Sequence, residues 1–479
     1  MRLQRQLDGS IEIEDAASSR YERFRIETKP AENRFNVPSK FNVRARRFRL
    51  AAMLVHEAFH YRFNREVVLS RPCIYGVFSG RFGGFKPIKK RCVGCMRCVQ
   101  EYPHIMRVDY SKEYQGLGDS HWTPDSIFTV LYESSTGKIP VKGMGFKGRF
   151  GGEGWDGIWT DMSEIVRPTR DGVFGREYIS TIIDVGSKPS FLEFPIANLQ
   201  TVRLLQSPLP IAFAPPAGCT DKTTETAVAE VASRLGIYYF ADHKFQGGEQ
   251  GSWVPVLSSE EQRKALDLGR TSMIEVDFSV PEALAIKEEI RHDSPSTLIS
   301  ARLALDDNTD QKACRLVRDG VDVLHLFADY HGFDYSSSPR HISDALGQVH
   351  TRLVEEGLRD NTTIIGSGGI TLAEHVPKAI ICGADLVALD TTLLVALQSE
   401  FKGETRDRSN CRLTPKIIDS SWGTQRLTNL MASWHDQLIE VLSAMGMRDV
   451  RRLRGDTGRS IRDSDMREQA FEGIHRGQQ

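Results

Sequence analysis

The chain has 479 residues, of which 40% are hydrophobic and 26% are charged. This composition is ordinary for a globular protein and excludes a disordered, collagenous or membrane-embedded chain. The net charge of −1 hides an asymmetry, because residues 1–100 carry 21 Lys and Arg against 9 Asp and Glu, a charge of +12, and the remainder carries −13. Four of the eight cysteines lie in the same basic stretch: Cys73, Cys92, Cys95 and Cys98.

The N-terminus has no apolar stretch of the kind that directs secretion, and residues 50–55, the most apolar run near it, are too few to cross a bilayer. We therefore expect a cytoplasmic protein without a membrane span. The other cysteines are scattered singly and predict ordinary buried thiols rather than disulfides: Cys219, Cys314, Cys382 and Cys411.

Residues 1–69 form a basic extension with one predicted helix from Asn42 to Phe63. No nucleic-acid-binding motif accompanies its arginines, so we expect a solvated or partner-facing helix and no nucleic-acid partner. Residues 70–207 are rich in glycine and aromatic residues, with a predicted strand at Ser126–Tyr132. The run from Gly143 to Gly157 holds seven glycines and predicts an irregular segment that wraps against another domain.

Residues 208–400 alternate short apolar strands with amphipathic helices, which predicts an α/β fold of the (β/α)8 TIM barrel type. An open doubly wound sheet is the alternative, but no Gly-x-Gly-x-x-Gly follows the first strand. Residues 401–479 predict a helical tail, with helices at 425–442 and 448–453. The predicted strands are Pro210–Ala214, Ile237–Phe240, Trp253–Leu257, Met273–Phe278, Thr297–Leu303, Val321–Phe327, Thr362–Gly366 and Leu386–Leu389.

The basic stretch contains a Cys-x2-Cys-x2-Cys motif, the spacing with which ferredoxins hold a cubane cluster. Tyr102 stands where a ferredoxin has its fourth cysteine, which serves a second cluster, so the motif indicates one cluster. Cys73 is the nearby cysteine that completes a set of four. We interpret Cys73, Cys92, Cys95 and Cys98 as ligands of one [4Fe–4S] cluster, with a structural zinc site and unliganded thiols as alternatives. Basic residues surround the motif and would offer a docking surface to an acidic electron-donor protein: Lys86, Lys89, Lys90, Arg91 and Arg97.

In a (β/α)8 barrel, phosphate commonly binds after strands seven and eight. Gly368 and Gly369 follow the seventh predicted strand, and their backbone N–H groups could approach a phosphate closely. Thr391 and Thr392 follow the eighth strand and could donate hydrogen bonds to it. Asp390 is unexpected there, because a carboxylate repels a phosphate.

Two other strand ends carry candidate residues. Arg302 ends the fifth strand, where it could contact a flavin that gathers negative charge on reduction, or form an internal salt bridge. Asp329 and His331 follow the sixth strand and are candidates for proton transfer or substrate contact. A solvated loop histidine is the alternative.

Several long stretches resemble the FMN-binding glutamate synthase-related proteins: residues 70–80, the cysteine motif, residues 148–170 and residues 375–385. The resemblance covers about residues 65–455 and implies an FMN-binding barrel of the glutamate synthase central type, coupled to an iron–sulfur centre. It also implies that Gly368, Gly369 and Thr391 hold the FMN phosphate. Arg302 stands where the family usually has a lysine near the flavin.

The sequence departs from the family at several places. Asp390 replaces the glycine of a Gly-Thr pair, and the loops after strands two and six lack the usual glycines. Of three cluster cysteines that usually follow the barrel, Cys411 alone is present. No position-2 cysteine or glutaminase-sized region precedes the barrel, so ammonia or another amine would come from a partner subunit or from solution.

Two hypotheses follow from these observations. In the first, the protein is an iron–sulfur flavoprotein oxidoreductase in which electrons pass through the cluster to FMN and on to an imine or amino-acid-related small molecule. In the second, the flavin site is degraded and the chain is a scaffold or electron-relay subunit of a larger redox complex.

Overall fold

The structure is a computed structural model that describes residues 24–80, 86–140, 154–161, 179–187, 203–216, 218–242, 244–245, 252–416 and 419–466. The chain forms two compact units. The smaller unit comprises residues 32–128 and 140–148, and the larger unit comprises residues 1–31, 129–139 and 149–479. These units group the residues differently from the four predicted segments. Most of the predicted glycine-rich wrap, Gly143–Gly157, lies outside the described residues, apart from a short 3-10 turn at Gly154–Gly157.

Eight parallel strands of the larger unit close into a barrel, as predicted. Every predicted strand is confirmed within two residues at either end. Because helices and loops cover a parallel barrel from outside while side chains fill it from inside, its strands read as nearly continuous apolar runs. The strands are β1 (Ile211–Phe213), β2 (Tyr239–Asp242), β3 (Trp253–Leu257), β4 (Met273–Asp277), β5 (Leu298–Ala304), β6 (Val323–Phe327), β7 (Thr363–Ser367) and β8 (Leu386–Leu389).

Helices follow most of the strands, again as predicted. The first helix begins after Asp221, whose carboxylate accepts the Thr224 N–H at 2.7 Å, and ends at Gly236, which adopts a left-handed φ of 66°. No helix is described between β2 and β3, where residues 244–245 and 252 are the described part of the connection. The helices are α1 (Lys222–Leu235), α2 (Glu260–Ala265), α3 (Ala283–Asp293), α4 (Thr309–Arg318), α5 (Ile342–Glu355), α6 (His375–Ile381) and α7 (Thr391–Ala396).

The tail contains one long helix, α8 (Ser420–Ala444), which extends the predicted 425–442 at both ends. The second predicted tail helix is a 3-10 turn at Val450–Leu453. Buried Arg426 ties α8 to the rest of the larger unit, because its guanidinium donates to the Ala396 and Ala31 carbonyls and to Ser134 Oγ. A short antiparallel pair joins Ile158–Thr160 to Ser460–Arg462. No described helix combines the length and the hydropathy that a membrane span requires.

In the smaller unit, the structure differs from the prediction for the first predicted helix. The helix predicted over Asn42–Phe63 is a strand, Phe41–Ala45, followed by a helix, Arg47–His60. Phe41 and Val43 are buried on one face of the strand, which pairs in antiparallel register with Met106–Tyr110. Shorter helices complete the unit at Arg65–Ser70, Arg97–Glu101 and Lys112–Gln115, with a 3-10 turn at Lys89–Arg91.

The strand predicted over Ser126–Tyr132 is wrong, because these residues belong to a helix, Pro124–Thr136. Proline at the first helical position and the Ser126 N–H, which donates to Thr123 Oγ1, form an ordinary helix start. Buried residues then recur with helical spacing at Ile127, Val130 and Leu131. The β-branched and aromatic residues of this stretch suggested a strand, but packing on one helical face decides the structure.

Candidate functional site

All four cysteines of the predicted cluster line one pocket in the smaller unit. Cys95 is exposed, and the other three are partly buried. Most of the other side chains that line the pocket are hydrophobic, Arg71 and Arg97 also line it, and no carboxylate of the described residues does. Four thiols are a set of donors that suits an iron–sulfur cluster or a zinc ion, and the cluster itself stays a prediction. The remaining described cysteines are also free thiols, and Cys219, Cys314 and Cys382 are buried.

The backbone of the Cys-x2-Cys-x2-Cys loop turns sharply between the cysteines. Gly94 and Met96 both adopt left-handed conformations, with φ of 70° and 59°. Gly94 packs so closely on the Phe41 ring that a Cβ atom there would lie 2.2 Å from Cζ. Cys98 lies in the short helix that follows, and its carbonyl accepts the Tyr102 N–H. Tyr102, at the ferredoxin position for a fourth cysteine, packs against the apolar core of this unit.

The four thiols also influence one another. Burial raises the pKa of Cys98 to about 11, and repulsion from the thiolates of Cys73, Cys92 and Cys95 adds to this effect. Burial likewise raises the pKa of Cys92. Since a metal binds the thiolate form, occupation of this pocket by iron or zinc would release protons. The Arg91 guanidinium holds the segment that follows Cys73, because it donates to Ser79 Oγ at 2.8 Å.

We expect Gly94→Ala to weaken metal retention. A Cβ atom would clash with Phe41, and an L-residue in the left-handed region costs about 1–2 kcal/mol. Metal per chain and the melting temperature should both fall. Gly116→Ala is the matched control, because Gly116 lies in the same unit with φ of −89° and its Cβ would make only an ordinary contact. Equal metal content in the two variants would contradict the expectation.

The predicted phosphate-binding residues meet at the carboxyl ends of β7 and β8. Gly368 and Gly369 have φ of 115° and 71°, as a tight turn requires. Their outer faces are covered by the loop after β6, since a Cβ on Gly368 would lie 2.5 Å from the Asp329 carbonyl oxygen. Thr391 begins α7, and both its N–H and its hydroxyl donate to Asp390 Oδ1, at 2.6 and 3.2 Å.

Asp390 forms an ion pair that the sequence analysis missed. Its Oδ2 accepts a hydrogen bond from the Arg408 guanidinium at 3.1 Å, and the Asp390 side chain is 1% exposed. Burial raises the pKa of Asp390 above its ordinary value, although Arg408 opposes this effect. Arg408 also donates to Ser367 Oγ at the end of β7 and to the Ala328 carbonyl after β6.

Arg408 belongs to a loop, residues 402–412, that returns over the ends of β6–β8. A two-residue antiparallel pair, Glu400–Phe401 with Leu413–Thr414, closes the base of this loop. The Arg406 carbonyl accepts the Tyr330 N–H, and the Arg408 guanidinium lies 4.4 Å from the centre of the Tyr330 ring. The loop and the segment after β6 therefore hold each other in place.

Asp329 and His331, the predicted proton-transfer residues, lie in the segment held by this loop. Asp329 Oδ1 accepts the N–H groups of His331 and Phe333, both at 2.9 Å, and Oδ2 accepts Arg406 Nε at 2.6 Å. With both oxygens engaged, Asp329 shapes the turn. His331 is buried, with Nε2 3.9 Å from Glu404 Oε2. Proton transfer by this pair stays a prediction.

Arg302, the predicted flavin contact, lies two residues before the end of β5 and beside β6. It is half-buried, and its guanidinium lies 4.9 Å from the centre of the Phe327 ring. Its Nε is buried without a hydrogen-bond partner among the described residues. Arg302 forms no ion pair with another described residue, so the internal salt bridge that was the alternative is not seen in the part of the chain that the structure describes. An unpaired buried donor is costly, so this atom fits a ligand with a hydrogen-bond acceptor.

A buried polar pair on β4 and β6 was not identified from the sequence. His325 Nδ1 lies 2.6 Å from Glu275 Oε2, and the two side chains are 3% and 1% exposed. Ser300 Oγ on β5 donates to the same carboxylate oxygen at 3.2 Å. Strand register places His325 directly beside Arg302. A glutamate and a histidine 50 residues apart give no local motif, so only the barrel register brings them together.

We expect His325→Leu to lower the free energy of unfolding by about 3 kcal/mol, because it leaves the buried Glu275 carboxyl with Ser300 alone. Chemical denaturation measures the loss. The Glu275→Leu, His325→Leu double variant should lose less than the two single variants combined, because it leaves neither partner unsatisfied. Strictly additive losses would show that the two side chains do not interact.

Comparison with known proteins agrees with the resemblance noted in the sequence. Residues 328–448 match the family model described as the conserved region in glutamate synthase. An archaeal-type glutamate synthase [NADPH] from Dehalococcoides mccartyi is 24% identical over 77% of this chain and 86% of its own length. That of Thermotoga maritima is 24% identical over 84% and 93%, respectively. An archaeal glutamate synthase [NADPH] from Methanocaldococcus jannaschii is 35% identical over 25% of this chain and 24% of its own length.

Among solved structures, a mandelate oxidase with an FMN adduct aligns with a TM-score of 0.44 and 16% identity, over 71% of this chain and 92% of that one. The barrel itself is established by the strand pairing of this chain. The matched family region begins at Ala328, directly after β6, and so includes strands β7 and β8 and the loop with Arg408. Residues 328–448 are therefore similar to the conserved region of glutamate synthases, and most of the chain is similar to archaeal-type glutamate synthases [NADPH].

Proposed function

We propose that this protein is an FMN-dependent oxidoreductase of glutamate synthase type that receives electrons through a [4Fe–4S] cluster. The convergence of Cys73, Cys92, Cys95 and Cys98 on one pocket carries the iron–sulfur part of the proposal. The similarity to glutamate synthases whose names include NADPH supports the oxidoreductase part of the proposal. In this proposal the protein is cytoplasmic, and its electron donor is a protein or partner subunit that docks on the basic residues around the cysteine motif.

The described residues fit the flavin end of an FMN site. Arg302 presents a half-buried guanidinium and an unpaired Nε, which suit a ring that gains negative charge on reduction. When bound, FMN would supply the hydride chemistry, and the protein would supply position and electrostatics. In this proposal, Arg302 binds the ring, and Gly368, Gly369 and Thr391 surround the phosphate. The loop of residues 402–412 limits the access of water to the strand ends.

The substrate in this proposal is a small imine or related amino-acid precursor. His331 and Asp329 stand at the same strand ends, and His331 would hold the proton that the reduced nitrogen takes up. Asp329 would keep the His331 backbone in place through its hydrogen bond. The amine nitrogen would come from a partner subunit or from solution. The second candidate, a relay subunit without flavin, is favoured by the ion pair of Asp390 with Arg408 at the phosphate end.

Anaerobic purification followed by metal analysis and absorption spectroscopy tests the proposal. About four iron atoms per chain together with bound FMN are the expected result. Iron without flavin, even after incubation with FMN, would favour the relay subunit. Zinc without iron would contradict the cluster. The matched control is a Cys92→Ala, Cys95→Ala variant, which should lose the iron and keep the flavin.

A further inference from the structure

The carboxyl ends of three neighbouring strands meet at one guanidinium. Arg408 donates to the Ala328 carbonyl after β6, to Ser367 Oγ on β7 and to Asp390 Oδ2 after β8. The Arg408 side chain is 13% exposed, and its cation lies against the Tyr330 ring. A largely buried cation after strands seven and eight lies where (β/α)8 barrels commonly bind phosphate.

The anion that Arg408 contacts is supplied by the chain itself. Asp390 accepts Arg408 with one oxygen and takes both Thr391 donors with the other. Thr391 is one of the residues that the resemblance to the family assigns to the FMN phosphate. A carboxylate has two oxygens that can accept charge-assisted hydrogen bonds, and a phosphate monoester has three. Asp390 therefore makes contacts of the kind that a phosphate would make.

We infer that Asp390 is an internal substitute for the cofactor phosphate and that Arg408 is the phosphate-binding cation. This inference rests on the proposed function. When FMN binds, Arg408 exchanges the Asp390 carboxylate for a phosphate oxygen. The exchange breaks and forms only ion pairs and hydrogen bonds. Asp390 consequently lowers the affinity for FMN, because it competes for Arg408 and Thr391 and repels a phosphate dianion nearby.

The exchange also reaches the loop that carries Arg408. Arg406 pairs with Asp329, and its carbonyl accepts the Tyr330 N–H, so two contacts of the loop with the segment after β6 do not involve Arg408. A phosphate that takes over Arg408 would leave those contacts in place. We therefore expect Arg408 to change partner without the loop detaching.

Equilibrium binding of FMN to flavin-stripped protein, followed by flavin fluorescence, tests the exchange without any need for activity. Asp390→Asn keeps the shape and removes the competing charge, so its affinity for FMN should rise by about tenfold or more. Arg408→Gln should lower it by a similar factor. Arg412→Gln is the matched control, because it makes the same change in the same loop, and it should bind FMN like the unchanged protein.

Thermal unfolding with inorganic phosphate gives a second readout. Asp390→Asn leaves Arg408 without its anion, so phosphate should raise the melting temperature of this variant more than that of the unchanged protein. The Asp390→Asn, Arg408→Gln double variant removes both charges, and phosphate should not raise its melting temperature in this way. The double variant replaces the single variant in the test if the single variant does not fold. Unchanged FMN affinity in both single variants would overturn the exchange and leave the proposed function standing. A chain that binds no FMN in any form would overturn both.

Discussion

Cys73→Ala is expected to lose the cluster iron as completely as Cys95→Ala does. Cys73 lies outside the motif in sequence, yet it lines the same pocket as Cys92, Cys95 and Cys98 and is close enough to raise the pKa of the Cys98 thiol. A [4Fe–4S] cluster bound by three thiolates is missing one iron ligand. Iron analysis and the visible absorption of anaerobically prepared protein should show a fall from about four iron atoms per chain to nearly none.

Cys314→Ala is the control for this loss. Cys314 is a buried thiol in α4 of the barrel. The Cys314→Ala variant should therefore keep the iron content of the unchanged protein. Full iron in Cys73→Ala would show that the fourth ligand lies elsewhere. Loss of zinc rather than iron in both cluster variants would identify a structural zinc site.

Arg302→Met is expected to weaken FMN binding by about 10–100-fold. The substitution keeps much of the apolar stem beside Phe327 but removes the cation and the unpaired Nε donor. A hydrogen bond to a charged group contributes about 1.5–3 kcal/mol, and each 1.4 kcal/mol is a factor of ten in affinity. Arg302→Lys should retain part of the affinity, because it keeps the charge. Flavin fluorescence measures the FMN dissociation constants of the two variants and of the unchanged protein.

Arg270→Met tests whether loss of any arginine has the same effect. Arg270 is exposed in the turn Leu268–Arg270, before β4. The Arg270→Met variant should therefore bind FMN as the unchanged protein does. An Arg302→Met variant that matches this control would show that Arg302 does not contact the flavin. The Arg302 and Arg408 guanidinium groups lie 4.9 and 5.2 Å from the centre of the same Phe327 ring, so the effects of the two substitutions on FMN affinity should not be strictly additive.

The barrel could be predicted from sequence because its signal is local and repeated. Every strand is a short apolar run, and helices such as α1 and α5 have the spacing and caps that mark their limits. The errors fall where local preference and packing disagree. Thr129, Val130 and Tyr132 favour a strand by residue type, yet they belong to the helix Pro124–Thr136.

The candidate site could be predicted only in part. Positions at strand ends are readable from sequence, so Arg302, Gly368 and Gly369 could be named as candidates, and their roles stay predictions. Arg408 was missed because it follows the barrel, in a loop with no motif, and reaches the strand ends only through the return of that loop. Asp390 looked incompatible with its surroundings until its cation was known. An ion pair between distant segments needs the fold to define it.

The order of residues in the smaller unit bears on how the protein matures. All four cysteines of the pocket, and the strands and short helices that shape it, lie between residues 32 and 128. During synthesis this stretch leaves the ribosome before the first barrel strand, at residue 211, has been made. Delivery of iron and sulfide to the nascent chain could thus precede barrel closure, and flavin loading would be the later event.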